Sequence, residues 1–232
     1  MTDRPILFSG EMVRALLAGR KTQTRRVLTP QPANSDKFHG FVGVGETRAV
    51  FGKSDYPPGE PEIVTVRSKV GDHLWVRETW RAHGWHSDLV EIAYAAQRGM
   101  VGWSEQHEQI HYPHGDKNAF KYYAPKGPDY WRPSIFMPRW ASRITLLVTD
   151  VRIERLQDIS DDDALAEGVE GTIAPVAGRD VDIDGFYWPG GPKRMFDSLW
   201  DNVNGKGAWD VNPWVVAYTF VTINANVDKV AA

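Results

Sequence analysis

Three stretches dense in chain-breaking residues constrain this sequence more than any other feature. Residues 30–61 are rich in Pro, Gly, Asn and Ser, with Tyr56-Pro57-Pro58-Gly59 as the clearest turn. Pro125, Pro128, Pro133 and Pro138 break up a second stretch, and Gly171, Gly178, Gly185, Gly190 and Gly191 loosen a third. Proline lacks a backbone donor and glycine favours turns, so regular structure must be short and lie between these stretches. Helical and strand patterns both occur there, which predicts an α+β chain.

The segments between the breaks carry readable periods. Arg4 to Phe8 reads as an extended arm or strand. From Glu11 to Ala18, Met12 and Leu16, then Val13 and Leu17, recur on one side of a helix, with Ser9 as N-cap and Gly19 as its stop. A hairpin is expected around Phe41 to Phe51, and a β run begins at Ile63, Val64 and Val66. After the Gly71-Asp72 turn, Leu74, Val76 and Glu78 continue the alternation. Further strands are expected at Leu89 to Ala95 and Ala119 to Tyr123. The clearest strand runs from Arg143 to Arg155, with a shift at Thr149-Asp150 of the kind a bulge produces. Ser160 caps an acidic helix that starts with Asp161, Asp162 and Asp163, whose charges suit the positive end of the helix dipole. Lys193 to Val203 returns to helix, with Met195, Phe196, Leu199, Trp200 and Val203 on one face. Pro213 to Ile223 reads as a closing strand. No internal repeat or clean linker divides the chain, so one domain over 1–224 is expected, with insertions near 30–61, 81–140 and 169–192 and a flexible tail at 225–232.

The stretch with chemical content is Gly19-Arg20-Lys21-Thr22-Gln23-Thr24-Arg25-Arg26, directly after the first helix. It gathers an amine, two hydroxyls and several guanidinium groups where the chain must turn. Loop geometry would let Lys21 and Thr24 converge, whereas a straight strand sends positions three apart to opposite faces. Such a group can hold an anionic or polar ligand, or can simply be a solvated basic surface loop.

The pattern Gly19-x-Lys21-x-x-Thr24-x-Arg26 resembles the signature of ASCH domains, small barrels of the PUA-like superfamily. Most of that family carries glutamate at the position of Thr24. The Gly-Arg-Lys-Thr-x-Thr-x-Arg form seen here is similar to the variant of small bacterial N4-acetylcytidine amidohydrolases. Leu156 to Glu167 resembles a later segment of those enzymes, and Gly71 to Val76 a third short patch. The whole chain, from Pro5-Ile6-Leu7-Phe8-Ser9 onward, resembles the longer ASCH proteins of phages and prophages. The resemblance implies a PUA-like β-barrel with flanking short helices and loop-rich insertions. It implies Lys21 as proton acceptor, Thr24 as nucleophile and Glu167 as proton donor, in cleavage of the amide bond of N4-acylated cytosine or cytidine, with no cofactor and no metal. Arg20, Arg26, Glu78 and Trp80 are the expected substrate contacts. The partner would be a nucleoside or RNA. Two alternatives stay open: an ASCH module that binds RNA or a modified nucleotide without cleaving it, and an ASCH-type ribonuclease. The chain is longer than those amidohydrolases, so its insertions could repurpose the pocket.

The residues themselves weigh on these expectations. Glu167 falls in the last turn of its helix, where the dipole disfavours a carboxylate, so its placement invites a functional explanation. Glu78 is either a second carboxylate at the cavity or an ion-pair partner of Arg77 or Arg81. Of ten tryptophans, Trp75 and Trp200 sit in core patterns, while Trp80, Trp131, Trp140 and Trp188 lie beside loops and basic residues and could stack a base. A net charge of −3 argues against coating long nucleic acid, whose affinity comes mainly from phosphate neutralisation. The absence of cysteine excludes disulfides, zinc ribbons and thiol nucleophiles. No leader or long apolar run is visible, which predicts the cytoplasm. His107-Glu108-Gln109-Ile110-His111 matches a zinc-protease pattern, but that site needs a buried helix and Pro113 follows directly; a solvated polar loop is the other reading.

Overall fold

A computed structural model describes residues 1–33, 35–43, 47–53, 60–86, 89–97, 107–111, 130–169 and 191–230. In chain order its elements are β1 (Asp3–Leu7), α1 (Gly10–Leu17), β2 (Gln23–Val27), β3 (Lys37–Val42), β4 (Arg48–Gly52), β5 (Glu62–Thr65), β6 (His73–Arg77), β7 (Trp80–His86), β8 (Leu89–Tyr94) and β9 (His107–His111). Then follow β10 (Thr145–Arg155), α2 (Asp161–Ala166), α3 (Gly191–Asn204), β11 (Trp214–Ile223) and α4 (Val227–Val230). Among the described residues the fold is α+β with a mixed sheet and few helices. The strand expected at 119–123 and Trp188 lie outside the described residues.

The chain divides into two units, the first formed by Met1–Gly19, Asp72–Leu147 and Val221–Ala232, the second by Arg20–Gly71 and Val148–Phe220. A five-stranded sheet has the order β1-β6-β10-β11-β2. In the first unit β1 runs parallel to β6, Asp3 opposite His73, and β6 is antiparallel to the start of β10. Helix α1 starts where Ser9 accepts the Met12 backbone N–H at 3.3 Å, and it buries Val13, Ala15 and Leu16. It stops where Gly19 adopts a φ of 73°, a left-handed conformation that glycine takes without a Cβ clash. A second antiparallel sheet, β7-β8-β9, contributes Trp80, Val90, Ile92 and Tyr94 to a core completed by Met137 and Ala141. The prolines at 133 and 138 do not abolish structure; each stands before a single 3₁₀ turn, Ser134–Phe136 and Arg139–Ala141.

The histidine pair is placed on a strand. His107–His111 is β9, paired with β8, so the two histidine backbones stand about 13 Å apart instead of on successive turns of one helix. That geometry removes the zinc-protease reading. In the tail, Val227 is buried in α4, and the Asn226 side chain donates to the carbonyl oxygens of Arg139, Trp140 and Ser142. An amide that satisfies three backbone acceptors pins a segment that its composition alone left free.

In the second unit β2 lies antiparallel to β11, from Val215 opposite Val27 to Thr219 opposite Gln23. Strands β3, β4 and β5 form an antiparallel sheet, with Phe41 opposite Ala49 in the expected hairpin. Leu156, Ile159 and Ala164 pack with Phe196, Trp200 and Val215 to make the core under α2 and α3. Val203, expected on the apolar face of α3, is exposed instead. The predicted shift at Thr149-Asp150 leaves β10 continuous from Thr145 to Arg155.

Candidate active site

Most of the basic stretch after α1 is neither a loop nor solvated, although Arg20 and Thr22 are exposed. Only its beginning is irregular; from Gln23 it is strand β2, and Lys21, Gln23, Thr24 and Arg25 are all buried. Two backbone hydrogen bonds fix where it enters the second unit. The Thr22 N–H donates to the Ala166 carbonyl at 2.8 Å, and the Thr22 carbonyl accepts from Phe220 N–H at 2.9 Å. The first bond clasps the stretch to the last turn of α2, where Glu167 is the C-cap residue.

Lys21 and Glu167 therefore meet. The Lys21 ammonium donates to Glu167 Oε2 at 2.7 Å and to the Glu167 backbone carbonyl at 2.8 Å, with side-chain exposures of 0% and 4%. The carbonyl bond also explains a carboxylate at a helix C-terminus: the cation serves both the side chain and the orphan carbonyl there. Burial holds the Lys21 amine below its ordinary pKa; Glu167 opposes the shift by charge and hydrogen bond, and Arg26 and Arg25 add to it. Burial likewise lowers the Arg26 pKa, against the pull of Glu167 and Tyr218.

Around this pair stands a charge network that the sequence did not disclose. Arg25 Nη1 donates to Glu167 Oε1 at 3.3 Å and also to Gln23 Oε1. Its Nε reaches Glu154 Oε1 at 2.8 Å, and its Nη2 reaches Asp163 Oδ2 at 3.0 Å. Gln23 donates to Asp163 Oδ1 at 3.1 Å and to the Thr219 hydroxyl at 3.2 Å, and Arg152 Nη2 reaches both oxygens of Asp163 at 2.9 Å. Asp163 thus does more than favour a helix start. The available signal was its spacing from Glu167, since positions four apart share one side of a helix.

Thr24 is held differently. It lies opposite Tyr218 in the β2–β11 register, and directly opposed residues share a face. Strand alternation sets Thr24 and Arg26 on one face of β2 and Gln23 and Arg25 on the other. Lys21 precedes the strand, and its charge couples to arginines of both faces. Arg20 is exposed.

Glu78 and Trp80 belong to the first unit. Glu78 is in an ion pair, as one reading held, with a partner the sequence did not suggest. Its carboxylate accepts from Arg143 Nε at 2.9 Å and Nη2 at 3.1 Å, and that guanidinium lies 3.9 Å from the centre of the Tyr94 ring. Trp80 lies in the core of that unit. Its indole is wholly buried, in edge contact with Trp140 at 6.3 Å and with the Arg132 guanidinium 5.8 Å from its ring. Trp131 lies under the Arg81 guanidinium at 4.9 Å. Compared with known proteins, the chain matches no family model, no curated protein and no solved structure.

Proposed function

We propose that the second unit carries an amidohydrolase site that cleaves the N4-acyl bond of an acylated cytosine or cytidine, in a PUA-like barrel of the ASCH type. The observation that supports it is the buried contact of 2.7 Å between Lys21 and Glu167, residues 146 positions apart in sequence. Amide cleavage is helped by a base that activates the nucleophile and an acid that protonates the leaving amine, and a buried amine–carboxyl pair can supply both. With that proton moved to Glu167, the neutral Lys21 amine takes the hydroxyl proton of Thr24, and Thr24 Oγ1 attacks the acyl carbonyl. The C–N bond then breaks, and Glu167 gives its proton to the departing N4 amine. The products of this half-reaction are a free cytosine amino group and an acyl ester on Thr24. Water hydrolyses the ester, returning the hydroxyl to Thr24 and releasing a carboxylic acid. Arg26, on the face of Thr24, is the candidate donor to the developing oxyanion.

A phosphate clamp fits the same residues less well. Lys21 and Arg25 already face carboxylates within the protein, so their charge is largely neutralised before any ligand arrives. The direct test is incubation with N4-acetylcytidine, following cytidine by chromatography. The parent should convert it, and Lys21→Ala, Thr24→Ala and Glu167→Ala should each lose about 100-fold or more in kcat. A folded parent that leaves the substrate intact ends the reading.

A further inference from the structure

We propose that Arg25 is a positioning residue of this site, holding the Glu167 carboxylate in place and thereby governing which member of the Lys21–Glu167 pair carries their shared proton. The two oxygens of Glu167 are divided between two cations: Oε2 takes the Lys21 ammonium and Oε1 takes Arg25 Nη1. A carboxylate gripped on one oxygen cannot turn away from the amine bonded to the other. Arg25 is itself fixed from several sides, by Glu154 on β10, Asp163 on α2, Gln23 on its own strand and the Phe196 ring of α3, 5.9 Å away. The planar fork of a guanidinium can span these partners at once, which a single ammonium cannot.

The groups that set the charge around Lys21 come from each packed element. Glu167 at the end of α2 and Arg25 and Arg26 of β2 act on Lys21 directly, while Asp163 of α2, Glu154 and Arg152 of β10 and Tyr218 of β11 act on those arginines or on their partners. Arg25 repels a proton on Lys21 directly, and its own bond to Glu167 draws on the carboxylate that attracts that proton. Removing the Arg25 charge relieves the repulsion and leaves Glu167 to Lys21 alone. Both changes act in one direction, so Lys21 keeps its proton to higher pH.

As a statement about catalysis this rests on the amide-cleavage reading above; as a statement about the Lys21 proton it does not. The experiment therefore has two arms. In the first, lysine labelled with carbon-13 at Cε is titrated by NMR in the full chain, the Lys21 resonance being assigned by its loss in Lys21→Met. Arg25→Gln should move the Lys21 titration up by about one pH unit or more, while Arg25→Lys should leave it near that of the parent. In the second, kcat on N4-acetylcytidine is followed against pH. The limb that reports Lys21 should move alkaline in Arg25→Gln, and Arg25→Lys should lose about 10–100-fold in kcat at little change in KM. If Arg25→Gln alone does not fold, the double variant Arg25→Gln/Glu154→Gln removes one charge of each sign from the bonded pair and carries the same titration. A Lys21 titration that stays at the pH of the parent overturns the role of Arg25, as does a kcat loss equal at every pH. A shifted titration in a protein inert toward N4-acetylcytidine keeps that role and removes the reaction.

Discussion

Glu78 and Arg143 form an ion pair with almost no access to water, and such pairs are asymmetric in their energetics. Forming one returns little net stability, because both ions lose their hydration. Withdrawing one partner is costly, because the other keeps its charge in a poor solvent. Glu78→Gln should therefore destabilise the first unit by about 3–5 kcal/mol, read from the midpoint of urea unfolding. Replacing both ions with apolar residues, as in Glu78→Leu/Arg143→Met, should recover most of the loss, since Tyr94 already offers an apolar surface beneath the guanidinium. A single variant that unfolds at the urea concentration of the parent would show that the carboxylate contributes only shape.

At the scale of the element, α1 illustrates how a helix is bounded by a few atoms. Its start rests on the Ser9 hydroxyl and its end on Gly19, around which an added Cβ would meet nothing within 4 Å. The only penalty there is the backbone conformation itself. Gly19→Ala should cost about 1–2 kcal/mol through left-handed strain alone, and Ser9→Ala about 1 kcal/mol through the lost cap, both measurable by urea unfolding. These ends were legible in the sequence, as were β10, β11 and the caps of α2, because each depends on residues within a few positions of one another. The Lys21–Glu167 contact came from family resemblance, not from any local pattern. The rest of the network was hidden for a physical reason: Arg25 meets Glu154, Asp163 and Glu167 across separations of 129, 138 and 142 residues. A run of basic residues reads as a solvated loop unless the acids that will neutralise it are known. The burial of Trp80 was hidden in the same way, since its cover comes from Met137, Trp140 and Ala141.

At the scale of the whole molecule, three aspartates held below their ordinary pKa bear on how the fold responds to acid. Asp3 is held below its ordinary pKa first by the hydrogen bond from Arg139, then by that charge and by His73. Burial would raise the pKa of Asp163, but the hydrogen bonds of Arg152 and Gln23 and the charges of Arg152 and Arg25 outweigh it. Asp201 is held low by the backbone N–H groups of Gly207 and Trp209. A carboxylate with a depressed folded pKa stabilises fully above its unfolded value, roughly 3.9 for aspartate, where both states are ionised; below that value the unfolded chain takes up the proton first. That contribution disappears as pH falls through the folded value. The part of the stability owed to these groups should therefore be level from pH 7 to about 5 and should decline below about 4. Urea unfolding across that range tests this, with Asp3→Asn probing the first unit and Asp163→Asn the second. Each should unfold more easily than the parent at pH 7 and lose less on acidification, since asparagine cannot gain the proton. Variants that keep the full acid slope of the parent would place the acid sensitivity in other groups and leave these ion pairs without a part in it.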